Sequence, residues 1–194
     1  MFDSKNQIIS KIFNPLNINK DSKIEFNIGD LRNTGLYSFA LIIEFDVNGR
    51  KYSRYVIHSQ VENTEYIFEV FPGNNSQLET HLYSLADTIP FSEEFLEVVG
   101  QLYLTTPDGI EYSRCVMPGN EDRIEGVRGR VRVYNIETDE IEKEYWVKMW
   151  DYEREEDGLT EYLNIEMSEE TGLFKIFTGE ILEDIFYKFY QNSK

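Results

Sequence analysis

Two stretches that lie sixty residues apart could each contribute to a site that binds an anion. They are GRKYSRYVI, which starts at Gly49, and GIEYSRCVM, which starts at Gly109. Each places a tyrosine, a serine, an arginine and a valine at the same distances from its glycine. If the two guanidinium groups converged in one cleft, they would form an anion site, because arginine binds carboxylates and phosphates through paired hydrogen bonds. The residues that would form this site are Arg54, Arg114, Tyr52 and Tyr112.

A structural role for both arginines is the favoured interpretation of the same pattern. Alternate side chains of a strand share a face, so each arginine lies between an aromatic and a β-branched side chain. Its aliphatic stem would cover apolar surface, and its guanidinium group would pair with a carboxylate or an aromatic ring. Because the chain has nine arginines and 36 acidic residues, we expect Arg54 and Arg114 to be paired internally.

A group of aromatic residues near position 150 offers either a surface for a ligand or a part of the core. Strand alternation places Trp146, Trp150 and Tyr152 on one face and Tyr145 on the other. Large aromatic side chains contribute much of the burial energy of a core. We therefore favour core packing over an aromatic ligand surface.

The remaining residues show no pattern typical of catalysis or of metal binding. His58 and His81 are the only histidines, and neither has a cysteine or a second histidine at metal-ligand spacing. The acidic run from Glu153 resembles a calcium-binding loop, but Asn164 stands where that loop needs a bidentate glutamate. We interpret DYEREEDG, residues 151–158, as an exposed turn between strands. The sequence therefore predicts a protein that is not an enzyme and has no catalytic site, cofactor or metal.

The elements that would position these residues are mainly β-hairpins. The dipeptides Asn48-Gly49 and Asp108-Gly109 are typical of hairpin turns, and strand-like alternation flanks both of them. Alternation or β-branched and aromatic content predicts further strands. These are SKIEFNI, TEYIFEVF, GRVRVYNI, KEYWVKMW, LTEYLNIEM and LFKIF.

Helical spacing of apolar residues predicts several short helices. The N-terminal residues 2–13 form a short amphipathic pattern, and SQLETHLYSLADTI repeats leucine at helical intervals. SEEFLEVV begins at Ser92, a residue type that caps helices, and continues with acidic residues in the first turn. GEILEDIFYKFYQ, near the C-terminus, carries an apolar stripe.

Together these elements predict an α+β fold. It consists mostly of antiparallel β-hairpins in two related β units, with two short central helices and a C-terminal helix. Whether the two β units form one domain or two stays open, as does whether the N-terminal arm packs on the body or docks a partner. The predicted parts are an N-terminal arm at 1–14, a first β unit at 15–75, a helical connector at 76–99, and a second β unit with the C-terminal helix at 100–194.

The net charge of −17 is the strongest compositional signal. Residues 1–35 are close to neutral, so the acidity belongs to the rest of the chain. An acidic surface repels phosphate backbones and anionic headgroups, so we expect no direct nucleic-acid binding and no autonomous membrane binding by the body. We predict a cytoplasmic location, because no segment resembles a membrane helix or a secretory signal, and the single cysteine, Cys115, cannot form an internal disulfide.

The order of several segments resembles the bacterial YjfK-like family of uncharacterised proteins. The resemblance covers residues 14–184 and rests on NPLNINKDSKIEF, SRYVIH, PFSEEFLE, LTTPDGIEYSRCVMPG, YWVKMWDYEREEDGLTEYLNIEM and LFKIFTGEILEDI. The family has no established activity. The resemblance implies genes that lie beside those of phage-shock-protein-A-like coiled-coil proteins, and through them an accessory role in envelope stress.

Three classes of function are therefore compared. We expect a non-enzymatic acidic module that binds a protein partner with a basic surface, and a membrane-associated coiled-coil protein is a candidate partner. The alternative is an acidic nucleic-acid mimic or inhibitor from a phage or conflict locus, which clustered carboxylates at phosphate-like spacing would favour. An enzyme would need a deep pocket with converging polar groups.

Overall fold

A computed structural model shows that the chain is built almost entirely from antiparallel strands. The described residues are 7–10, 18–27, 29–31, 35–59, 61, 64–72, 78–115, 125–183 and 186–192. They contain one α-helix, α1 (Glu93–Val99), and a 3-10 turn at Gly29–Leu31. The thirteen strands described are β1 (Gln7–Ser10), β2 (Lys23–Phe26), β3 (Leu36–Val47), β4 (Arg50–Ser59), β5 (Glu65–Pro72), β6 (Leu78–Ile89), β7 (Tyr103–Thr105), β8 (Glu111–Arg114), β9 (Val127–Asn135), β10 (Ile141–Glu156), β11 (Leu159–Ser168), β12 (Phe174–Ile181) and β13 (Tyr187–Asn192).

Eight of the strands close into a barrel. Their order around the ring is β3-β4-β5-β6-β12-β11-β10-β9, and β9 completes the ring because it pairs with both β10 and β3. The sheet continues beyond the ring at two places. β2, β13 and β1 extend from β3, and β8 and β7 extend from β10. Closure gives both edges of all eight barrel strands a hydrogen-bonding neighbour.

Tight turns join β3 to β4 and β10 to β11, and the predicted hairpin at Asn48-Gly49 is confirmed. Asn48 and Gly49 have φ values of 53° and 80°, the left-handed backbone that a two-residue hairpin turn requires. Asp157 and Gly158 repeat this geometry between β10 and β11, with φ values of 53° and 80°. Because β10 continues to Glu156, most of the predicted turn over 151–158 is strand.

Three apolar cores hold this architecture together. The first lies inside the barrel and is formed by side chains of β3, β9 and β10. The second lies between the outer wall of β4–β6 and a layer made by β2 and β13. The third lies between the outer wall of β10–β12 and a layer made by α1, β7 and β8. Much of the barrel wall is therefore covered on both of its faces.

The predicted α+β class is wrong, because most of the predicted helices are strands. The segment that repeats Leu78, Leu82 and Leu85 is β6, and it pairs with β5 and β12. The predicted C-terminal helix is the end of β12 followed by β13. Pairing with neighbouring strands has overridden the helical spacing of the apolar residues.

One predicted helix is confirmed. α1 follows Ser92, whose Oγ accepts a hydrogen bond from the backbone N–H of Phe95 at 3.0 Å. Within the N-terminal arm, Gln7–Ser10 is strand β1, and the other residues of the arm lie outside the described part of the chain. None of the helices among the described residues has the length and apolar character needed to cross a membrane.

The prediction of two related β units is also wrong. The β3–β4 hairpin forms a wall of the barrel from strands of 12 and 10 residues, whereas β7 and β8 have 3 and 4 residues and lie in the outer layer. Their turns differ as well, because Gly109 has a positive φ of 88° but Asp108 does not. The shared residues of the two stretches therefore reflect hairpin chemistry rather than a repeated fold.

Candidate functional site

Arg54 lies inside the barrel at the centre of a buried network of charged side chains. The residue stands on β4 and is 4% exposed. Its Nε donates a hydrogen bond to Glu69 on the neighbouring strand β5. Its Nη1 donates to Glu166 on β11, which lies on the opposite side of the ring. The network therefore joins opposite walls of the barrel.

Asn164 extends the network to a third carboxylate. Its Oδ1 accepts a hydrogen bond from Arg54 Nη1 at 3.1 Å, and its Nδ2 donates to Asp151 Oδ1 at 2.5 Å. An amide is the side-chain group that can accept on one side and donate on the other. An aspartate at this position would place two carboxylates against each other.

His81 on β6 completes the network from the other side of Glu69. Its Nδ1 lies 3.2 Å from Glu69 Oε1 and 3.2 Å from the Tyr83 hydroxyl, and its ring stacks on Tyr162 at 5.0 Å. An ionised carboxylate only accepts hydrogen bonds, so Nδ1 carries the hydrogen and donates it to Glu69. Nε2 is buried and has no hydrogen-bond partner among the described residues.

The network contains three carboxyl groups and one permanent cation, Arg54. The pKa of one carboxyl is lowered, and the pKa values of the other two are raised. Burial raises the pKa of a carboxyl, but the Arg54 charge and the His81 hydrogen bond outweigh burial at Glu69 and lower its pKa to about 2. Burial dominates at Glu166 and raises its pKa, because the Arg54 charge offsets only part of that effect. Burial likewise raises the pKa of Asp151 despite its hydrogen bond from Asn164.

Aromatic rings enclose the guanidinium group of Arg54. Its carbon Cζ lies 4.8 Å from the centre of the Phe45 ring and 5.3 Å from that of Tyr83. The Tyr83 ring in turn packs over Gly179 of β12, where a β-carbon would overlap ring atoms. Glycine at this position lets the tyrosine lie flat against the barrel wall.

The chemistry available to this network is limited. A carboxylate that orients an imidazole with a free Nε2 is the arrangement of a general base. In the described part of the chain, however, no hydroxyl or thiol lies within hydrogen-bond distance of His81 Nε2. No group of three or more His, Cys, Asp or Glu side chains among the described residues could hold a metal ion. The network is therefore best understood as the polar part of a filled barrel.

The structure separates Arg114 and Tyr112 from Arg54. Arg114 lies on β8 in the outer layer, and its Nη1 donates to the carbonyl of Gly100 at 3.2 Å. Tyr112 is buried in the same layer beneath the guanidinium group of Arg154 at 5.4 Å. Because Arg54 faces the barrel interior, the two guanidinium groups do not share a cleft.

Tyr52 is the one residue of the predicted set that accompanies Arg54 inside the barrel. Its ring stacks on Phe45 with 4.8 Å between ring centres, and its hydroxyl lies 3.5 Å from Met149 Sδ. Burial raises the pKa of Tyr52 well above its ordinary value. Tyr52 therefore contributes to the interior packing of the first core.

The predicted aromatic group divides into a buried and an exposed part. Trp150 and Tyr152 face outward from β10 and are buried under the layer of α1, and the Tyr152 hydroxyl donates to the Val99 carbonyl at 2.6 Å. Trp146 is 41% exposed, and the guanidinium group of Arg128 lies 4.0 Å from the centre of its ring. The three side chains do not form a common surface for a ligand.

Sequence reasoning missed most of the network. Asn164 and Glu166 alternate with apolar residues in LTEYLNIEM, which is typical of a strand with one face in water. In the structure every residue from Leu163 to Met167 is buried, because one face of β11 lines the barrel and the other packs in the third core. The sequence carries no signal that separates a polar interior face from a solvated one.

Outside the barrel, the acidity is concentrated around β10 and β11. Residues 136–170 contain fourteen Asp or Glu and three Lys or Arg, a net charge of −11 out of −17. Two of these carboxylates, Asp151 and Glu166, lie in the barrel interior, so the remaining twelve acidic and three basic residues give −9 outside it. We call the β10–β11 pair with its turn Asp157-Gly158 the acidic hairpin. It contributes carboxylates at both ends and on its outer face.

A groove of about 540 Å³ runs beside the acidic hairpin over the outer wall of β6, β12 and β11. The 3-10 turn and β5 form its other side. Its lining includes no lysine or arginine among the described residues. The carboxylates that line it are Glu156, Asp157, Glu161 and Glu180. The larger apolar side chains that line it are Leu31, Tyr66 and Leu159, whereas Leu82 and Tyr83 border it with buried side chains.

The fold and its interior define this chain as a closed eight-stranded barrel with a charged, filled centre and two covering layers. Comparison with protein-family models, with curated proteins and with solved structures finds no match. The resemblance to the YjfK-like family therefore stays a prediction.

Proposed function

We propose that this protein is a non-enzymatic accessory module whose acidic hairpin binds a basic surface of a partner protein. The observation that carries this proposal is the net charge of −9 that residues 136–170 carry without the interior Asp151 and Glu166, beside an open groove. A surface of one charge sign speeds encounters with an oppositely charged partner and disfavours wrong ones.

The barrel interior supports a binding module rather than an enzyme. Arg54 occupies the centre of the barrel, and its guanidinium group is paired with the interior groups Glu69, Asn164 and Glu166. A site for a substrate needs space and polar groups that converge on it. The groove on the outer wall is open and suits a polypeptide.

Mimicry of a nucleic acid gains less support. A mimic would present rows of carboxylates without cations between them. The outer face of β9 instead presents three arginines that pair with carboxylates of neighbouring strands and turns. These arginines are Arg128, Arg130 and Arg132.

The family resemblance suggests one kind of partner to test first. A membrane-associated coiled coil of the phage-shock-protein-A type would present lysine and arginine at the exposed positions of its helices. Such a partner would bring the acidic module to a membrane that the module does not bind by itself.

The test compares three immobilised probes for binding to the full chain at about 0.1 M salt. The probes are a basic coiled-coil peptide, duplex DNA and vesicles that contain anionic lipid. We expect binding to the coiled coil alone. Binding to DNA or vesicles without binding to the coiled coil would contradict the proposal, and a version that lacks residues 1–13 shows whether the N-terminal arm contributes.

A further inference from the structure

We propose that the groove beside the acidic hairpin binds an extended segment of the partner in which lysine or arginine alternates with apolar residues. This inference rests on the proposed function, and it adds the place of binding and the kind of sequence that is bound. The groove's carboxylates and apolar side chains carry the argument.

Two of the groove's carboxylates lie directly opposite each other in the sheet. Glu161 of β11 and Glu180 of β12 are paired in the β-ladder. Like charges at opposed positions of neighbouring strands destabilise a sheet. Arg154 relieves this repulsion on one side only, because it forms ion pairs with Glu161 at 2.5 Å and with Glu156 at 2.7 Å.

Two carboxylates of the groove remain open to a cation from outside. Among the described residues, no lysine, arginine or histidine forms an ion pair with Glu180 or with Asp157. A cationic side chain beside Glu180 would offset the repulsion at Glu161–Glu180 as well. A metal ion is a poor occupant, because no three ligating side chains of the described residues are arranged to hold one.

The apolar side chains of the groove explain why the segment should not be purely basic. Leu159 lies at the start of β11, directly after the tight turn, and its large apolar side chain is 73% exposed. Across the groove, Leu31 and Tyr66 are partly buried against the second core and keep part of their apolar surface exposed. Side chains of an extended segment point alternately to opposite sides, so basic and apolar residues can reach both kinds of surface.

The experiment measures the affinity of the full chain for a fluorescein-labelled hexapeptide of alternating lysine and leucine at low ionic strength. The double variant Asp157→Asn with Glu180→Gln removes the two open charges. Its matched control, Glu137→Gln with Glu140→Gln, removes two exposed charges at the other end of β10. We expect the dissociation constant to rise about tenfold in the groove variant and less than about twofold in the control.

A second pair of variants tests the apolar contact. Leu159→Ser should weaken binding about threefold or more. Ile141→Ser changes another exposed apolar residue, at the far end of β10, and should leave binding unchanged. A lysine–serine hexapeptide should also bind more weakly than the lysine–leucine peptide.

The outcomes separate this inference from the proposed function. If the native protein binds the peptide and the groove variants bind equally well, the groove assignment is wrong but an acidic binding module remains. If the native protein binds the basic coiled-coil peptide but not the hexapeptide at low ionic strength, the groove assignment is likewise wrong and the acidic binding module remains. If it binds neither, the proposed function fails, and the groove assignment fails with it.

Discussion

The guanidinium group of Arg54 and the carboxylate of Glu166 form an ion pair through the centre of the barrel, between strands that lie on opposite sides of the ring. Both side chains are nine-tenths buried or more. Removing one partner of such a pair leaves an uncompensated buried charge, which costs far more than the pair itself contributes. The barrel is therefore sensitive to changes in its interior charges.

Arg54→Ala should lower the free energy of unfolding by about 3–5 kcal/mol, because Glu69 and Glu166 would keep their burial and lose their cation. Urea unfolding followed by tryptophan fluorescence measures this change. Arg114→Ala is the matched comparison, and we expect it to cost about 1 kcal/mol because Arg114 is only half-buried. Equal losses for the two variants would show that the interior network has no special role.

Glu69 should stabilise the fold at neutral pH and lose this effect in acid. Its pKa is about 2 in the folded protein and near 4.5 ordinarily, so its contribution is complete above pH 4.5 and disappears as the pH falls toward 2. Glu69→Gln should therefore cost most at neutral pH and little near pH 2. Unfolding free energies measured across this range test the prediction, and a cost that does not depend on pH would contradict it.

Glu166 should have the opposite pH dependence. Its pKa is raised from the ordinary 4.5, so the folded state holds a proton that the unfolded state has released, and stability falls as the pH rises through the raised pKa. The difference in unfolding free energy between Glu166→Gln and the native protein should thus shift in favour of the variant as the pH rises above the ordinary 4.5. A shift in the other direction would show that Arg54 outweighs burial at Glu166.

Gly179→Ala should destabilise the barrel by about 1–3 kcal/mol, because the new methyl group would overlap the Tyr83 ring and force it from its place beside Arg54. Thermal unfolding measures the loss. The neighbouring Thr178→Ala, on the outer face, is the control and should change stability much less. If both variants unfold at the same temperature as the native protein, the close packing of Tyr83 on β12 does not contribute to stability.

Tyr152→Phe should loosen α1 from the barrel. The Tyr152 hydroxyl donates toward the carbonyls of Val99 and Gln101, at 2.6 Å and 2.9 Å, and so ties the end of α1 to β10. We expect a loss of about 1–2 kcal/mol, because the buried Val99 carbonyl loses its donor. Hydrogen exchange should become faster in α1 and in β7, while β4 and β5 stay protected. Uniform exchange across the protein would contradict a local tether.

The sequence predicted the hairpins better than it predicted the fold. Asn48-Gly49 has a backbone preference that acts locally, so the β3–β4 hairpin could be found from a few residues. β6 could not, because the spacing of Leu78, Leu82 and Leu85 also fits a helix. What decides its structure is pairing with β5 and β12, and β12 lies about ninety residues further along the chain.

The sequence predicted only a part of the candidate site, and the reason is similar. The pattern around Arg54 indicated a partly buried, internally paired arginine, and the structure buries it almost completely. Its partners Glu69 and Glu166 resemble ordinary solvent-facing residues of alternating strands. Only closure of the barrel places them on an inner face, and closure is a property of eight strands together rather than of any one segment.

The central claim is that the acidic hairpin is an electrostatic docking surface, and the salt dependence of binding tests it most directly. The Debye length falls from about 30 Å at 0.01 M to about 10 Å at 0.1 M ionic strength, so attraction between exposed charges weakens strongly over this range. The dissociation constant of the full chain for a basic coiled-coil peptide should rise about tenfold or more between these salts. An affinity that stays constant, or a native protein that does not bind at 0.01 M salt, would contradict the claim.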